Sequence, residues 1–148
     1  MDVTLGIDVG TDQHEPRRVV EVFERFATAN GVSDLVVQRF CLALDEILTN
    51  VISYGFEKAP EEPRIRVDFG LGDELLEVRI EDNGRSFNPL ADAPLPDFTL
   101  PVDERPIGGL GIHLAKNLVH DISYRRDKKR NCLTLTQPLQ GATGDPNP

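Results

Sequence analysis

Arg64-Ile65-Arg66-Val67-Asp68-Phe69-Gly70-Leu71-Gly72-Asp73-Glu74-Leu75-Leu76-Glu77-Val78-Arg79-Ile80-Glu81 is the stretch that decides the fold. Ile65, Val67 and Phe69 alternate with Arg64, Arg66 and Asp68, and Leu76, Val78 and Ile80 alternate with Glu77, Arg79 and Glu81. A period of two puts every apolar side chain on one face of an extended chain, so each half predicts a half-buried strand. Gly70-Leu71-Gly72-Asp73 lies between them and supplies turn chemistry, which makes the pair a β-hairpin. A hairpin with one apolar face needs a cover, and the flanking sequence provides it.

Upstream, Val3, Leu5, Ile7 and Val9 alternate as a half-buried first strand. Val19, Val20, Val22, Phe23, Phe26 and Ala27 then recur at helical spacing, with Pro16 near the start, where its missing N–H costs little, and Asn30-Gly31 as a stop. Ser33 is placed to cap a longer helix that runs to about Tyr54, with Gly55 ending it. Downstream, helical spacing returns from about Gly109 through Ile112, Ala115, Leu118 and Val119. Ile122 and Tyr124 open another alternating strand, and Leu133 and Leu135 form its partner across Arg125-Arg126-Asp127-Lys128-Lys129-Arg130, a charged hairpin tip or a basic docking patch. The sum is an α+β fold: a two-layer sandwich of a mostly antiparallel sheet with helices on one face. Residues 1–137 form the domain, and 138–148, rich in Gly and Pro, read as a disordered tail.

The chain of 148 residues is 39% hydrophobic and 28% charged, the balance of a soluble globular domain. A net charge of −9 argues against binding nucleic acid, because phosphate contacts need clustered Lys and Arg. Cys41 and Cys132 lack metal-ligand spacing and read as buried reduced thiols. No apolar run approaches the roughly 20 residues of a membrane span, and Met1-Asp2-Val3-Thr4 lacks the features of a signal peptide, so a cytoplasmic location is expected.

Chemistry concentrates in three short motifs. In Asp45-Glu46-Ile47-Leu48-Thr49-Asn50, Glu46 and Asn50 sit one helical turn apart, away from the centre of the apolar stripe of Val37, Phe40, Leu44, Ile47, Leu48 and Val51. Such a pair either faces solvent as an ordinary i,i+4 contact or faces a second surface. In the second case the Asn carbonyl is a hard oxygen suited to Mg2+, and the carboxylate can take a proton from an attacking hydroxyl. In Glu81-Asp82-Asn83-Gly84-Arg85-Ser86-Phe87-Asn88-Pro89, Asp82 ends a strand. There it is either turn chemistry or a partly buried acceptor for an adenine amino group, with Gly84 allowing close backbone approach. Gly108-Gly109-Leu110-Gly111 opens the last helical segment and offers backbone N–H groups to phosphate. It is neither a Walker A loop nor a Rossmann fingerprint. Between the second and third motifs, Asn88 to Ile107 holds Pro89, Pro94, Pro96, Pro101 and Pro106 and reads as a functional lid or a disordered segment.

In this order and spacing the motifs resemble the GHKL ATPase/kinase superfamily with its Bergerat ATP site, and most closely the anti-sigma factor serine/threonine kinases of the RsbW/SpoIIAB-like group. The resemblance covers roughly residues 3–136 and implies ATP and Mg2+ as cofactors. It implies Glu46 as catalytic base, Asn50 as Mg2+ ligand, and Asp82, Gly84 and Phe87 on the base side of the nucleotide. Gly108, Gly109, Leu110 and Gly111 would line its phosphate side. It also implies a serine or threonine on a STAS-type anti-sigma factor antagonist as phosphoryl acceptor, a sigma factor as the alternative partner, and a homodimer. The Gly-Thr pair that some relatives carry at the start of the last strand is replaced here by Arg130-Asn131-Cys132, so no nucleotide contact is expected from it. Arg105 is a candidate cation for the terminal phosphate. Of the three histidines, His14, His113 and His120, the last two lie two turns apart on one face of the last helix and are expected to be structural or surface residues, and a histidine kinase is disfavoured. Two other readings stay open: a nucleotide-binding anti-sigma or adaptor module without useful kinase activity, and a partnered ATPase fragment.

Overall fold

The computed structural model describes residues 1–57, 62–92 and 117–139. Its elements are β1 (Val3–Val9), α1 (Glu15–Ala29), α2 (Asp34–Tyr54), β2 (Ile65–Leu71), β3 (Leu75–Asp82), the short α3 (Pro89–Asp92), β4 (Asp121–Asp127) and β5 (Arg130–Pro138). The strands form one sheet of order β1-β2-β3-β5-β4 in which each neighbouring pair is antiparallel. The α+β class and the sandwich expected from the periodicity are therefore present.

Local chemistry sets the helix ends as expected. Pro16 occupies the first turn of α1, Asn30 closes it, and Gly31 takes the left-handed φ of 82°. At the start of α2 the Ser33 hydroxyl accepts from Val36 N at 3.4 Å, and Gly55 closes the far end. The β2–β3 turn is tighter than the glycines suggested. Gly70 and Leu71 stay in the ladder, Leu71 pairs with Leu76, and Gly72 N donates to Leu75 O at 2.9 Å.

The core lies between the helices and one face of the sheet. Val67, Phe69, Leu76, Val78, Ile80, Leu133 and Leu135 point into it from the strands, and Val19, Phe23, Phe40, Leu44, Ile47 and Leu48 from the helices. Phe23 stacks on Phe40 at 5.7 Å and meets Phe69 edge-on at 5.3 Å, locking α1, α2 and β2 together. The other face of the sheet carries Arg66, Arg79 and Thr134, as an antiparallel sheet with one wet side should. β1 departs from the half-buried strand expected of its alternation. It is an edge strand, and Val3 and Leu5 remain 39% and 37% exposed, with Val9 buried. Cys132 is buried and Cys41 half-buried, both free thiols, and burial beside Glu24 pushes the Cys41 thiol up to about 11. Among the described residues no helix is long and apolar enough to cross a membrane.

Candidate functional site

On α2 the Glu46–Asn50 pair is distinguished by its burial. Asn50 is only 2% exposed, while Glu46 is half-buried, so the pair does not project freely into solvent. The Asn50 amide nitrogen donates to the Glu46 carbonyl oxygen at 2.8 Å and to Glu46 Oε2 at 3.3 Å. Both partners are acceptors, which fixes the amide orientation and leaves the side-chain oxygen on the opposite end. Burial, with the Asp45 carboxylate next in the chain, raises the Glu46 carboxyl above its ordinary range, and the bond from Asn50 opposes that rise. A carboxylate raised in this way is a better proton acceptor near neutral pH.

Asp82 occupies the end of β3, facing the core side, and is 5% exposed. Its Oδ1 accepts from Gly84 N at 2.9 Å and from Asn131 Nδ2 at 2.9 Å. Burial raises its carboxyl, and Asn131, the Gly84 N–H and the Arg126 guanidinium pull it back down. A buried carboxylate kept by donors rather than by a salt bridge is a poised acceptor for a ligand's N–H.

The turn after Asp82 is built against the end of α2. Arg85 N donates to Gly55 O at 2.8 Å, and Arg85 Nε donates to Tyr54 O at 2.9 Å. Gly84 lies so close to this corner that a Cβ would collide with the Gly55 carbonyl oxygen. The close approach that requires glycine here is thus to protein backbone. Phe87 is 3% exposed and belongs to the core, 5.9 Å from the Tyr54 ring, with the Arg85 guanidinium carbon 5.1 Å from its own ring centre.

Sequence reasoning set Asn131 aside, yet it is the hub of this corner. Its oxygen accepts from Phe87 N at 3.3 Å, from Arg126 Nη1 at 3.0 Å and from the Tyr124 hydroxyl. Its amide nitrogen donates to Asp82 and, at 2.8 Å, to Arg85 O. Arg126 Nη1 also reaches Gly84 O at 3.0 Å. The signal that could have found it is register. Asn131 pairs directly with Asp82 in the β3–β5 ladder, and an amide facing a carboxylate across a ladder is a donor.

Gly108, Gly109, Leu110 and Gly111 lie outside the described residues, as do Arg105, His113, residues 93–107 of the expected lid and the tail from 140 onward. Asn88 to Asp92 are described, and Pro89–Asp92 form α3, a turn of helix that the run of prolines concealed. A cleft of about 680 Å3 opens at the Asp82 end of the sheet, lined by Asp82, Asn83, Arg64, Arg66, Lys128 and Lys129 among others. Neither Glu46 nor Asn50 lines it.

The profile of the histidine kinase-like ATPase domain matches residues 11–137, most of the chain. The chain belongs to the histidine kinase-like ATPase domain family. Curated relatives named serine-protein kinase RsbW, from Bacillus mycoides and Bacillus cereus, are each 33% identical over 102 residues, covering 67% of this chain. That match spans 62% of the relatives' own length, under two thirds. The RsbU and RsbW domains of Rv1364c from Mycobacterium tuberculosis share the fold with a TM-score of 0.63 at 16% identity, over 91% of this chain and 32% of that one. The histidine kinase domain of the blue-light activated kinase of Erythrobacter litoralis gives 0.54 at 15% identity, over 86% and 60%. In this histidine kinase-like ATPase domain, the donor set fits a magnesium nucleotide. The described residues hold no cluster of His, Cys, Asp and Glu able to cage a metal on its own. The amide oxygen of Asn50, with one carboxylate beside it, instead suits Mg2+ that keeps most of its ligands from phosphate and water.

Proposed function

We propose that the chain is an ATP- and Mg2+-dependent protein serine/threonine kinase and anti-sigma factor, which phosphorylates a STAS-type antagonist and sequesters a sigma factor. The observation that carries this reading is the Glu46–Asn50 pair, held on one turn of α2 with the amide buried and the carboxyl raised. When bound, magnesium would neutralise phosphate charge, a large part of what phosphoryl transfer needs. The protein's own part is positioning. Asn50 would offer its amide oxygen to the metal, and Glu46 would accept the proton of the attacking hydroxyl. Asp82 would hold the base end by accepting from its amino group, with Gly84 and Phe87 shaping the turn beside it. The glycines at 108, 109 and 111, with Leu110, are assigned to the phosphates by resemblance. The serine-protein kinase name of the relatives supports the acceptor class.

The test is transfer from γ-labelled ATP with Mg2+ to a STAS-domain antagonist encoded beside the gene. Label on a serine or threonine of the antagonist is the expected result. ATP binding with no transfer, together with retention of a sigma factor, would replace this reading with that of a nucleotide-binding anti-sigma module. Steady hydrolysis without an acceptor protein would point to an ATPase.

A further inference from the structure

We propose that Asn131 is the residue that positions Asp82 and so sets nucleobase selectivity at this site. The inference rests on the nucleotide-site reading above and extends it to a residue which that reading does not use.

The direction of the Asn131 amide is fixed by its neighbours. Phe87 N and Arg126 Nη1 can only donate, and both meet the Asn131 oxygen, at 3.3 and 3.0 Å. The nitrogen must therefore face the other way, where Asp82 Oδ1 and Arg85 O accept from it at 2.9 and 2.8 Å. Asp82 Oδ1 also takes Gly84 N at 2.9 Å, so both described donors to Asp82 converge on one of its two oxygens. That arrangement orients the carboxylate and reserves Oδ2 for a ligand. In its ionised form that oxygen accepts a hydrogen bond and cannot give one. It favours a base that presents an amino group, as adenine does, over one that presents an oxo group at the same position, as hypoxanthine does. Asn131 is itself braced from behind by Tyr124 and Arg126 of β4. Arg126 is the charged side chain that acts on Asp82 among the described residues. The hairpin β4–β5 thus holds the acceptor that β3 carries.

The experiment compares ADP and inosine diphosphate, each with Mg2+, by calorimetry on the wild type, Asn131→Ala and Asn131→Thr. The wild type should favour ADP by on the order of tenfold or more, as expected where an oxo group faces a buried, oriented carboxylate. Asn131→Ala should weaken ADP more than inosine diphosphate and narrow that ratio. It should also move the acid limb of ADP binding to higher pH, because Asp82 loses a donor that favours its ionised form. Asn131→Thr keeps a hydroxyl donor and should recover much of both effects, and it serves if the alanine variant folds poorly. Equal weakening of both nucleotides with an unmoved pH limb would overturn the role and reduce Asn131 to a structural brace. A wild type that binds neither nucleotide would overturn the nucleotide-site reading and this inference together. A wild type that binds ADP, with the ratio unchanged in the variants, would overturn this inference alone.

Discussion

Asp82 and Asn131 face each other across the β3–β5 ladder and share a hydrogen bond of 2.9 Å, although 49 positions separate them in the chain. Burial raises this carboxyl, and that bond, Gly84 N and Arg126 all work against the rise.

The balance predicts the behaviour of Asp82→Asn. Burial outweighs the donors and leaves the carboxyl harder to ionise in the fold than in the unfolded chain. Stability therefore falls as pH rises from below the ordinary Asp range through the folded-state value. The neutral amide escapes that cost. At pH 7.5 its Tm should equal or exceed that of the wild type, and the difference should close as pH falls toward about 4. ADP binding should be lost. Gly84 and Asn131 would take the oxygen of the substituted side chain, and its remaining N–H would face the base amino group. Thermal unfolding with and without ADP-Mg checks both, and a variant that melts lower at pH 7.5 and still binds would refute the assignment.

Gly84→Ala should cost about 1–3 kcal/mol, the usual penalty for forcing an extra carbon into packed structure. The added carbon meets backbone at Gly55, which cannot swing aside as a side chain can. Urea denaturation should show the loss with an unchanged slope.

Lys128 and Lys129 form the tip of the β4–β5 hairpin with φ of 49° and 67°, a left-handed pair that Asn-Gly adopts at far lower cost. Lys128→Asn with Lys129→Gly should stabilise the fold by about 1 kcal/mol, raising Tm by about 3–4 °C. No change in Tm would mean that the turn relaxes in solution.

Glu46→Gln preserves shape and removes the proton acceptor. Transfer should fall by about two to four orders of magnitude while ADP affinity stays within a few-fold. In the wild type the rate of transfer should rise with pH through a midpoint above the ordinary Glu range, because burial and Asp45 raise this carboxyl. Single-turnover transfer across pH 5–8 measures it, and a midpoint at or below the ordinary range would remove Glu46 from the role of base.

What could be read from the sequence was set by distance along the chain. The Ser33 cap, the Asn30-Gly31 stop and the alternation from Ile65 to Ile80 all act over a few residues, so composition reveals them directly. Asn50 reads as an edge position on its own helix, and its burial comes from neighbours that the helix period cannot show. Asn131 was passed over because its partners Asp82, Arg85 and Phe87 lie more than 40 positions away, and only the ladder register brings them together. β1 misled for the related reason that alternation marks a strand without saying whether it sits at the edge of a sheet.

The corner where Arg85 bonds to Tyr54 and Gly55 has a mechanical consequence. It welds the end of α2 to the exit of β3, the two segments that carry Asn50 and Asp82. On the reading proposed above, the spacing between Asn50 and Asp82 is thus set by the fold itself, like the jaws of a caliper. A ligand that spans both would spend little of its binding energy on arranging them.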